Sequence, residues 1–258
     1  VEGQQDQAVE AKQGQIKITV CLSLSGIAEG GEEVYKEFQK QITEMEANAA
    51  LGERKCEMGQ VGCRGYCSRD VLVDVYVPGE ERVTYEKVKP AMVKNILNDH
   101  IVGGKPFKKA AAKEDYYETL KKQTRVALAH GGSIDPENID DYIQVGGYES
   151  LKKVLSTMKP EEVIEEVKKS GLRGKGGGGF VTATKWEKAR NAPTDEKGTR
   201  YIMVNGDEGN PASYMDRSVM EGASHQVLEG LLIGAYAIGA TEGIIYTRSD
   251  YSIAVRRL

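Results

Sequence analysis

The residues whose types and spacing could carry chemistry are concentrated in a glycine-rich segment. Residues 171–180 read GLRGKGGGGF, with six glycines among them. Glycine lets backbone N–H groups approach an anion with no Cβ in the way, and a helix that begins just after such a loop adds unpaired N–H donors and the positive end of its dipole. The segment therefore predicts a phosphate-binding loop, with Arg173, Lys175 and Lys185 available to neutralise the phosphate.

Two familiar phosphate-binding motifs do not fit this loop. No Gly-Lys-Ser/Thr sequence ends it, as a P-loop requires, and a helix is predicted before it where a dinucleotide-binding fingerprint requires a strand. The spacing of its glycines also differs from that fingerprint. Glycine density alone leaves a flexible hinge as the alternative interpretation.

A second polar segment, NGDEGN at residues 205–210, follows a predicted strand. Ligands in open α/β sheets bind beyond the carboxyl ends of the strands. Asn205 and Asp207 are therefore candidates for hydrogen bonds to the ring edge or the sugar hydroxyls of a bound nucleotide. The alternative is an ordinary turn, because these residue types also favour turns.

The hydrophobic pattern predicts the elements that must position these residues. In the N-terminal part, apolar residues alternate with polar ones in the strands and recur every three or four residues in the helices. The resulting order is strand 16–22, helix 32–48, strands 55–61, 71–77 and 82–85, and helix 88–101. This β-α-β-β-α order suits a small thioredoxin-like layer.

The C-terminal part of the chain alternates helices with strands. Its predicted elements are a helix from Pro160 to Gly171, a helix at 182–190, a strand at 200–205, a helix at 224–238, a strand at 243–247 and a helix that begins near Tyr251. Such alternation predicts a parallel α/β sheet.

Composition narrows the class of protein. The chain has 258 residues, with 35 Lys and Arg against 39 Asp and Glu and a formal net charge of −4. Interspersed lysines and glutamates give no nucleic-acid or polybasic membrane signature. The longest apolar stretch, residues 227–240, contains Glu229 and is shorter than a membrane span of roughly 20 residues, so we expect a buried helix there. Four cysteines without a signal peptide favour a cytoplasmic protein.

Three segments together resemble a known family. Residues 171–186, 201–217 and 227–258 resemble the NADH-binding flavoprotein subunit of respiratory complex I, and resemble more closely the equivalent subunits of electron-bifurcating, NAD-linked hydrogenases. Residues 134–155 and the sequence HIVGGKPF at 100–107 are also similar to that group. The resemblance implies an α/β fold, in which a thioredoxin-like domain precedes the N-terminal part of a Rossmann-like FMN/NADH-binding domain.

The implied domain order assigns a range to each part. It comprises a disordered arm at 1–15, a thioredoxin-like [2Fe–2S]-type module at 16–108, a connector at 109–145 that packs against its neighbours, and an FMN/NADH-binding domain at 146–258 that is incomplete at its C-terminus. The chain stops before further segments of the family, so we expect either a fragment or a shortened relative.

The resemblance also implies the cofactor contacts. Those to the FMN phosphate are Gly174, Lys175, Gly176, Gly177 and Lys185, those to the flavin are Asn205, Asp207 and Glu208, and Phe180 stacks on the adenine of NADH. The implied chemistry is hydride transfer from NADH to FMN followed by single-electron transfer to iron–sulfur clusters. No catalytic side chain is expected, because the cofactors carry the chemistry.

The cysteines match the family's cluster ligands incompletely. The implied [2Fe–2S] ligands include the C-x3-C pair Cys63 and Cys67, but of the other pair only Cys21 is present, and its partner position falls on Ser25 or Gly26. Cys56 lies in a predicted strand and is an awkward substitute. A cluster normally needs four deprotonated ligands. The alternatives are a cluster on three cysteines plus Ser25 and a vestigial module kept for docking.

The expected function is that of an electron-transfer flavoprotein that passes electrons between NAD(H), FMN and iron–sulfur clusters. Its partners would be iron–sulfur subunits of a multisubunit oxidoreductase, without nucleic acid and without direct membrane insertion. Asn210, Lys188 and Val181 depart from the family on the dinucleotide side, so FMN binding is expected more firmly than NADH binding. An assembly subunit that has lost cofactors and an independent phosphate-binding enzyme are the alternatives. The three scattered histidines, His100, His130 and His225, are expected in structural roles.

Overall fold

The computed structural model describes residues 14–194, 196–210 and 213–258. Contacts divide these residues into two compact units, which we describe separately. The first comprises the described residues up to Asp141 together with 221–223 and Arg257, and the second comprises 142–220, 224–256 and Leu258. Most of the arm expected at 1–15 lies outside the described residues.

The first unit is built on a four-stranded mixed sheet. Its elements are β1 (Ile16–Cys21), α1 (Leu24–Ala28), α2 (Gly31–Ala47), β2 (Cys56–Val61), β3 (Val73–Tyr76), β4 (Val83–Tyr85), α3 (Pro90–Ile96) and α4 (Glu114–Lys121). Helix α5 (Ile139–Gln144) begins in this unit and ends in the second. The strand order is β2-β1-β3-β4, with β1 parallel to β2 and antiparallel to β3, and β3 antiparallel to β4. This is the strand order of a thioredoxin-like sheet, so the predicted class of the first domain is confirmed.

The central strand β1 is buried along its whole length. Ile16, Ile18 and Val20 join the hydrophobic core that α2 and α3 complete. The alternating pattern predicts a polar, solvent-exposed opposite face, and this prediction is wrong. Lys17 is buried there, and its ammonium lies 3.1 Å from the carboxylate of Asp141 in α5. A buried lysine needs such a partner, because an unpaired charge in the interior is strongly unfavourable.

The segment after β2 is held by a buried ion pair. Arg64 donates through both terminal nitrogens to the carboxylate of Asp74 in β3, at 3.2 and 2.5 Å. It also donates to the Tyr116 hydroxyl at 3.0 Å and to the Gly132 carbonyl at 2.8 Å. Thr84 donates a further hydrogen bond to Asp74 at 2.6 Å. These contacts fix the backbone on either side of Arg64 against the sheet.

The second predicted helix of this unit ends earlier than expected. The pattern predicts a helix over 88–101, whereas α3 begins at Pro90 and gives way after Ile96 to a π-helical turn at Leu97–Val102. Pro90 occupies the first helical turn, where a missing N–H is tolerated, and the preceding Lys89 is extended. The apolar residues of the π-helical turn remain in the core, so the sequence periodicity continues although the hydrogen bonding changes.

The second unit alternates helices with two parallel strands. Its elements are α6 (Glu149–Thr157), α7 (Pro160–Ser170), α8 (Thr182–Asn191), β5 (Tyr201–Gly206), α9 (Met215–Gly222), α10 (Ser224–Ile238), β6 (Glu242–Thr247) and α11 (Ser252–Arg257). β5 and β6 pair in parallel, with Asn205 opposite Tyr246 and Gly206 opposite Thr247. The predicted α/β class is confirmed. Where the sequence pattern predicts a strand or helix in this unit, the predicted and observed bounds agree to within a residue or two.

Helix α10 organises the second unit. At Gly234 an added Cβ would come within 2.6 Å of the Ile202 δ-methyl group in β5 and 3.2 Å of the Trp186 ring in α8, so glycine lets both side chains pack closely against α10. The expected burial of this helix is only partial, because Gly234 and Ala237 are buried whereas Leu232 is 47% exposed. No helix among residues 14–194, 196–210 and 213–258 is long and apolar enough to cross a bilayer.

A buried carboxylate of α10 caps a neighbouring helix. Glu229 accepts hydrogen bonds from the Tyr142 hydroxyl at 2.6 Å and from the backbone N–H groups of Tyr148 and Leu151 at 3.0 and 3.1 Å. Two of these donors belong to the first turn of α6 and its N-cap, where N–H groups have no partner within the helix. His225 accepts or donates a further bond with the Tyr148 hydroxyl at 2.9 Å.

The Arg64–Asp74 pair makes a first prediction about stability. Burial raises the pKa of Asp74, but the charges of Arg64 and Arg82 outweigh it and leave that pKa below its ordinary value of 3.8. The contribution of Asp74 is therefore present above pH 3.8 and is lost as the pH falls through the lowered pKa. Asp74→Asn should reduce the free energy of unfolding by about 3 kcal/mol, because it leaves Arg64 buried without a counter-charge.

This loss is measured by urea unfolding of the full chain at neutral and acid pH. Asp74→Asn should also flatten the acid dependence. The matched control is Asp115→Asn, which removes a carboxylate 2.6 Å from Arg69 at the surface and should cost much less. Equal losses of unfolding free energy for the two variants would contradict the conclusion that the buried Arg64–Asp74 pair stabilises this unit.

Glu229 generates a second prediction. Glu229→Gln keeps the volume but cannot accept all three hydrogen bonds, so the free energy of unfolding should fall by about 2 kcal/mol. The control is Glu187→Gln on the exposed face of α8, which should unfold like the unaltered chain. Both variants are measured by urea unfolding. An unchanged unfolding midpoint for Glu229→Gln would show that the carboxylate does not hold α6.

Candidate functional site

The glycine-rich segment forms a loop that is closed at its base. Arg173 and Val181 form an antiparallel bridge. The Gly174 N–H donates to the Phe180 carbonyl at 2.9 Å, and the Thr182 N–H donates to the Leu172 carbonyl at 3.0 Å. The loop therefore leads directly into the first turn of α8.

The interior of this loop is open to a ligand. Within the described chain, the backbone N–H groups of residues 175–179 donate to no carbonyl. A Cβ added at any of residues 176–179 would meet no atom within 4 Å. Gly177 has φ +101° and Gly179 has φ +59°, which side-chain-bearing residues rarely adopt. Free donors beside empty space are what an anion-binding loop requires.

The start of α8 adds to this anion-binding character. Its N-cap, Val181, offers no side-chain hydrogen bond, and its first turn carries no acidic residue. The positive end of the helix dipole is therefore not offset locally. Lys175 and Lys185 are exposed on the loop and the first turn. One of the guanidinium nitrogens of Arg173 already donates within the loop, to the Gly179 carbonyl at 3.0 Å.

The second predicted set lies at the carboxyl end of β5. The Asn205 side chain accepts a hydrogen bond from the Asp207 N–H at 3.0 Å, which shapes the turn after the strand. Both residues are exposed. The Asp207 carboxylate lies 3.8 Å from the guanidinium of Arg248, which follows the adjacent parallel strand β6. The structure thus brings Asn205 and Asp207 together at the strand ends, where ligands bind in such sheets.

Glu208 lies apart from these two residues and points inward. It is buried, and its carboxylate accepts hydrogen bonds from the backbone N–H groups of Asp216 and Arg217, both at 3.1 Å. The Tyr251 hydroxyl donates a third at 3.3 Å. Glu208 therefore caps the N-terminus of α9, and its oxygens are occupied by the protein. Burial, and then the charge of Glu208, raise the pKa of Asp216.

Sequence reasoning missed the cationic residues beside this turn. The guanidinium of Arg217 lies 4.9 Å from the centre of the Tyr251 ring, and that of Arg248 lies 5.8 Å from it. Arg248 follows β6 as Asn205 ends β5, so the strand-end rule applied to β5 could have identified it. Arg217 is brought there by α9, which the apolar pattern does not predict.

Phe180 ends the glycine loop with an accessible ring. The side chain is 49% exposed. The ammonium of Lys188, two turns into α8, lies 5.9 Å from the ring centre. An exposed aromatic face with a cation beside it suits a planar, anionic ligand.

The cysteines of the first unit converge only in part. The Sγ atoms of Cys63 and Cys67 lie 3.4 Å apart. The Cys21 Sγ lies 3.2 Å from the Ser23 hydroxyl and 3.9 Å from the Gly62 carbonyl. Cys56 belongs to β2 and packs against the hydrophobic core of its sheet. The structure therefore supplies one close pair of thiols and a third thiol in its own polar contacts.

The position expected to supply a fourth cluster ligand is closed. A Cβ at Gly26 would overlap the backbone oxygen of Cys21. The neighbouring Ser25 hydroxyl donates to the carboxylate of Asp70.

These donors do not fit a four-thiolate cluster. Among the residues that the structure describes, no group of three or more His, Cys, Asp and Glu side chains is arranged to hold a metal ion. The pair Cys63 and Cys67 resembles half of the required ligand set. A cluster on Cys21, Cys63 and Cys67 with Ser25 or Cys56 stays a prediction.

The family model that matches this chain lies within its C-terminal part. Residues 167–258 match a protein-family model described as the Nuo51 FMN-binding domain. The chain is 54% identical over 140 residues to "NADP-reducing hydrogenase subunit HndC" of Solidesulfovibrio fructosivorans, covering 54% of this chain and 28% of that protein. It is 46% identical over 114 residues to a subunit of NADH-quinone oxidoreductase in Aquifex aeolicus, covering 44% and 26%. The family resemblance is confirmed.

Solved structures are similar to different parts of the chain. A thioredoxin-like [2Fe–2S] ferredoxin from Aquifex aeolicus covers 38% of this chain and 91% of its own, with 23% identity and a TM-score of 0.33. An NAD+-reducing [NiFe]-hydrogenase covers 96% of this chain and 40% of its own, with 20% identity and a TM-score of 0.42. The chain thus spans less than a third of the length of the two curated relatives named above.

Proposed function

We propose that the second unit binds FMN and exchanges electrons with NAD(H) as part of a multisubunit oxidoreductase. The observation that carries the proposal is the open glycine loop at the start of α8, which lies inside the segment that matches an FMN-binding domain. Relatives named as subunits of quinone- and hydrogenase-type oxidoreductases support the electron-transfer role. FMN, when bound, supplies acceptance of a hydride and release of single electrons.

The residues of the loop would hold the phosphate of FMN. Their unbonded N–H groups and the helix dipole offer donors and positive potential, and Lys175 and Lys185 add full charges. Gly174 closes the loop through its hydrogen bond to Phe180, and Gly176 and Gly177 keep the interior clear of side chains.

Asn205 and Asp207 would orient the flavin from the strand end. Their side chains are exposed and offer both donors and acceptors there. Glu208 would act indirectly, because its carboxylate is bonded to α9 and Tyr251. We assign it the role of positioning the turn rather than touching the flavin.

We also propose iron–sulfur subunits as partners and a cytoplasmic location. The relatives' names, which call each of them a subunit of a hydrogenase or an oxidoreductase, support an assembly with other subunits. The second is supported by four cysteines without a disulfide, which is the usual state in a reducing compartment.

The loop makes a direct prediction about FMN. Gly177→Val should weaken FMN binding at least tenfold, because a branched side chain disfavours φ +101° and fills the space before the N–H groups. FMN bound per chain is measured by absorbance and by quenching of flavin fluorescence. The matched control is Gly198→Val, at φ +73° in another open loop, which should retain FMN.

Two outcomes would contradict this assignment. Equal FMN binding by Gly177→Val and Gly198→Val would remove the loop from the site. A full chain that binds no FMN would favour the alternative, an assembly subunit that has lost its cofactor.

Phe180 generates a prediction about the dinucleotide. If its ring receives the adenine, Phe180→Ala should raise the NADH concentration for half-maximal flavin reduction about tenfold, since stacking contributes roughly 1–3 kcal/mol per base. The measurement is anaerobic flavin reduction in the FMN-loaded chain. Tyr201→Ala, which removes a similarly exposed ring from the start of β5, should leave this concentration unchanged.

The same assay compares NADH with NADPH. One relative is named as NADP-reducing, and Lys188 lies beside Phe180. Flavin reduction that is insensitive to Phe180→Ala with either dinucleotide would exclude the stacking role.

A further inference from the structure

We propose that Cys63 and Cys67 form a reversible dithiol–disulfide pair, which exchanges with a small disulfide such as oxidised glutathione at a pocket beside Cys67. This goes beyond the FMN-dependent function and concerns only the first unit.

The first support is the distance between the two thiols. Their Sγ atoms are 3.4 Å apart, and a disulfide requires about 2.05 Å. The two cysteines lie four residues apart in one segment, so the gap to be closed is local. Cys67 is exposed and Cys63 is half-buried, so an external reagent reaches Cys67 first.

The second support is the rigidity of the segment that carries the pair. Arg64, between the two cysteines, is held by its buried pair with Asp74. Tyr66 packs edge-on against Tyr116 at 5.1 Å between ring centres. Arg69, which follows Cys67, bonds to two carboxylates at 2.6 Å each. The backbone therefore holds the thiols close instead of relying on chance encounter.

The third support is the pocket that opens beside Cys67. It has a volume of about 330 Å³ and is lined by Glu29, Cys67, Ser68, Asp70, Lys87 and Lys89. Lys89 is paired with Glu29 at 3.3 Å, and the Asp70 carboxylate receives the Ser25 hydroxyl. Lys87 is the lining cation that suits a carboxylate of a small disulfide such as oxidised glutathione.

The fourth support is the donor set itself. The position that would complete a cluster is Gly26, where a side chain would overlap Cys21, and Ser25 is bonded to Asp70. Cys21 lies in contact with Ser23 and the Gly62 carbonyl. The Sγ atoms of Cys63 and Cys67, by contrast, are in contact with each other.

The proposed exchange has two steps. The Cys67 thiolate attacks one sulfur of the external disulfide, whose S–S bond breaks to release one thiolate and leave a mixed disulfide on Cys67. Cys63, as its thiolate, then attacks the Cys67 sulfur, and the second external thiolate leaves. The two cysteines lose two electrons and two protons in total, and the external disulfide is reduced to two thiols.

The test uses the purified full chain in buffers of reduced and oxidised glutathione. After acid quenching, free thiols are alkylated and the intact mass is measured. We expect the oxidised chain to take up two alkyl groups and the chain reduced with dithiothreitol to take up four. Trypsin then separates Cys63 from Cys67 by cutting after Arg64, so the disulfide joins two peptides.

Three variants identify the atoms involved. Cys63→Ser should stop at one glutathionyl group on Cys67, and Cys67→Ser should form neither product within the same time. Cys56→Ser is the matched control and should form the disulfide as the unaltered chain does, which also resolves Cys56 from Cys63 in the shared tryptic peptide. Folding of each variant is checked by circular dichroism.

A parallel sample is treated anaerobically with ferrous iron and sulfide and then desalted. We expect it to retain no stoichiometric iron or sulfide. A chain that keeps two irons and two sulfides, and whose Cys63 and Cys67 are then protected from alkylation, would overturn the proposal. Four reactive thiols under strongly oxidising glutathione would overturn it as well.

Discussion

The buried contact between Arg64 and Asp74 is the interaction on which the first unit depends. A guanidinium can satisfy several acceptors in one plane, and Arg64 uses this to join β3, the Tyr116 hydroxyl and the Gly132 carbonyl. Removing two charges from water is costly, so such a pair is weak evidence for stability in itself. The pair matters for the position of the backbone. Because Arg64 directly follows Cys63, the contacts that hold Arg64 also hold the backbone beside Cys63.

In the second unit, buried carboxylates likewise join segments that are distant in the sequence. Glu229 in α10 accepts the N–H groups at the start of α6, and Glu208 accepts those at the start of α9. A carboxylate at a helix N-terminus satisfies donors that the helix cannot and interacts favourably with its dipole. Because Glu208 turns inward, the preceding Asp207 faces outward at the strand end. The buried residue and the candidate site residue are thus neighbours in the same turn.

Local sequence pattern predicts the parts of this fold that local forces decide. The pattern predicts helix α10 at its observed bounds, and Gly171 ends α7 with φ +69° as its position predicts. The glycine loop is identifiable in the same way. The pattern does not predict helix α9, because its N-terminal cap is Glu208, well upstream of the first helical residue. The burial of Lys17 depends on Asp141, which lies 124 residues away and leaves no local trace.

The glycine loop and the segment from Cys63 to Cys67 differ in the contacts that hold their backbones. In the glycine loop, the N–H groups of residues 175–179 have no backbone partner among the described residues, so a bound anion would supply the contacts that fix them. In the segment from Cys63 to Cys67, ion pairs and aromatic contacts already fix the backbone. A ligand should therefore order the first segment, whereas the chemistry of the second should change with little backbone motion. Substitutions distant from each segment should follow the same division: those near α8 act through ligand affinity, and those near Asp74 act through the geometry of the thiols.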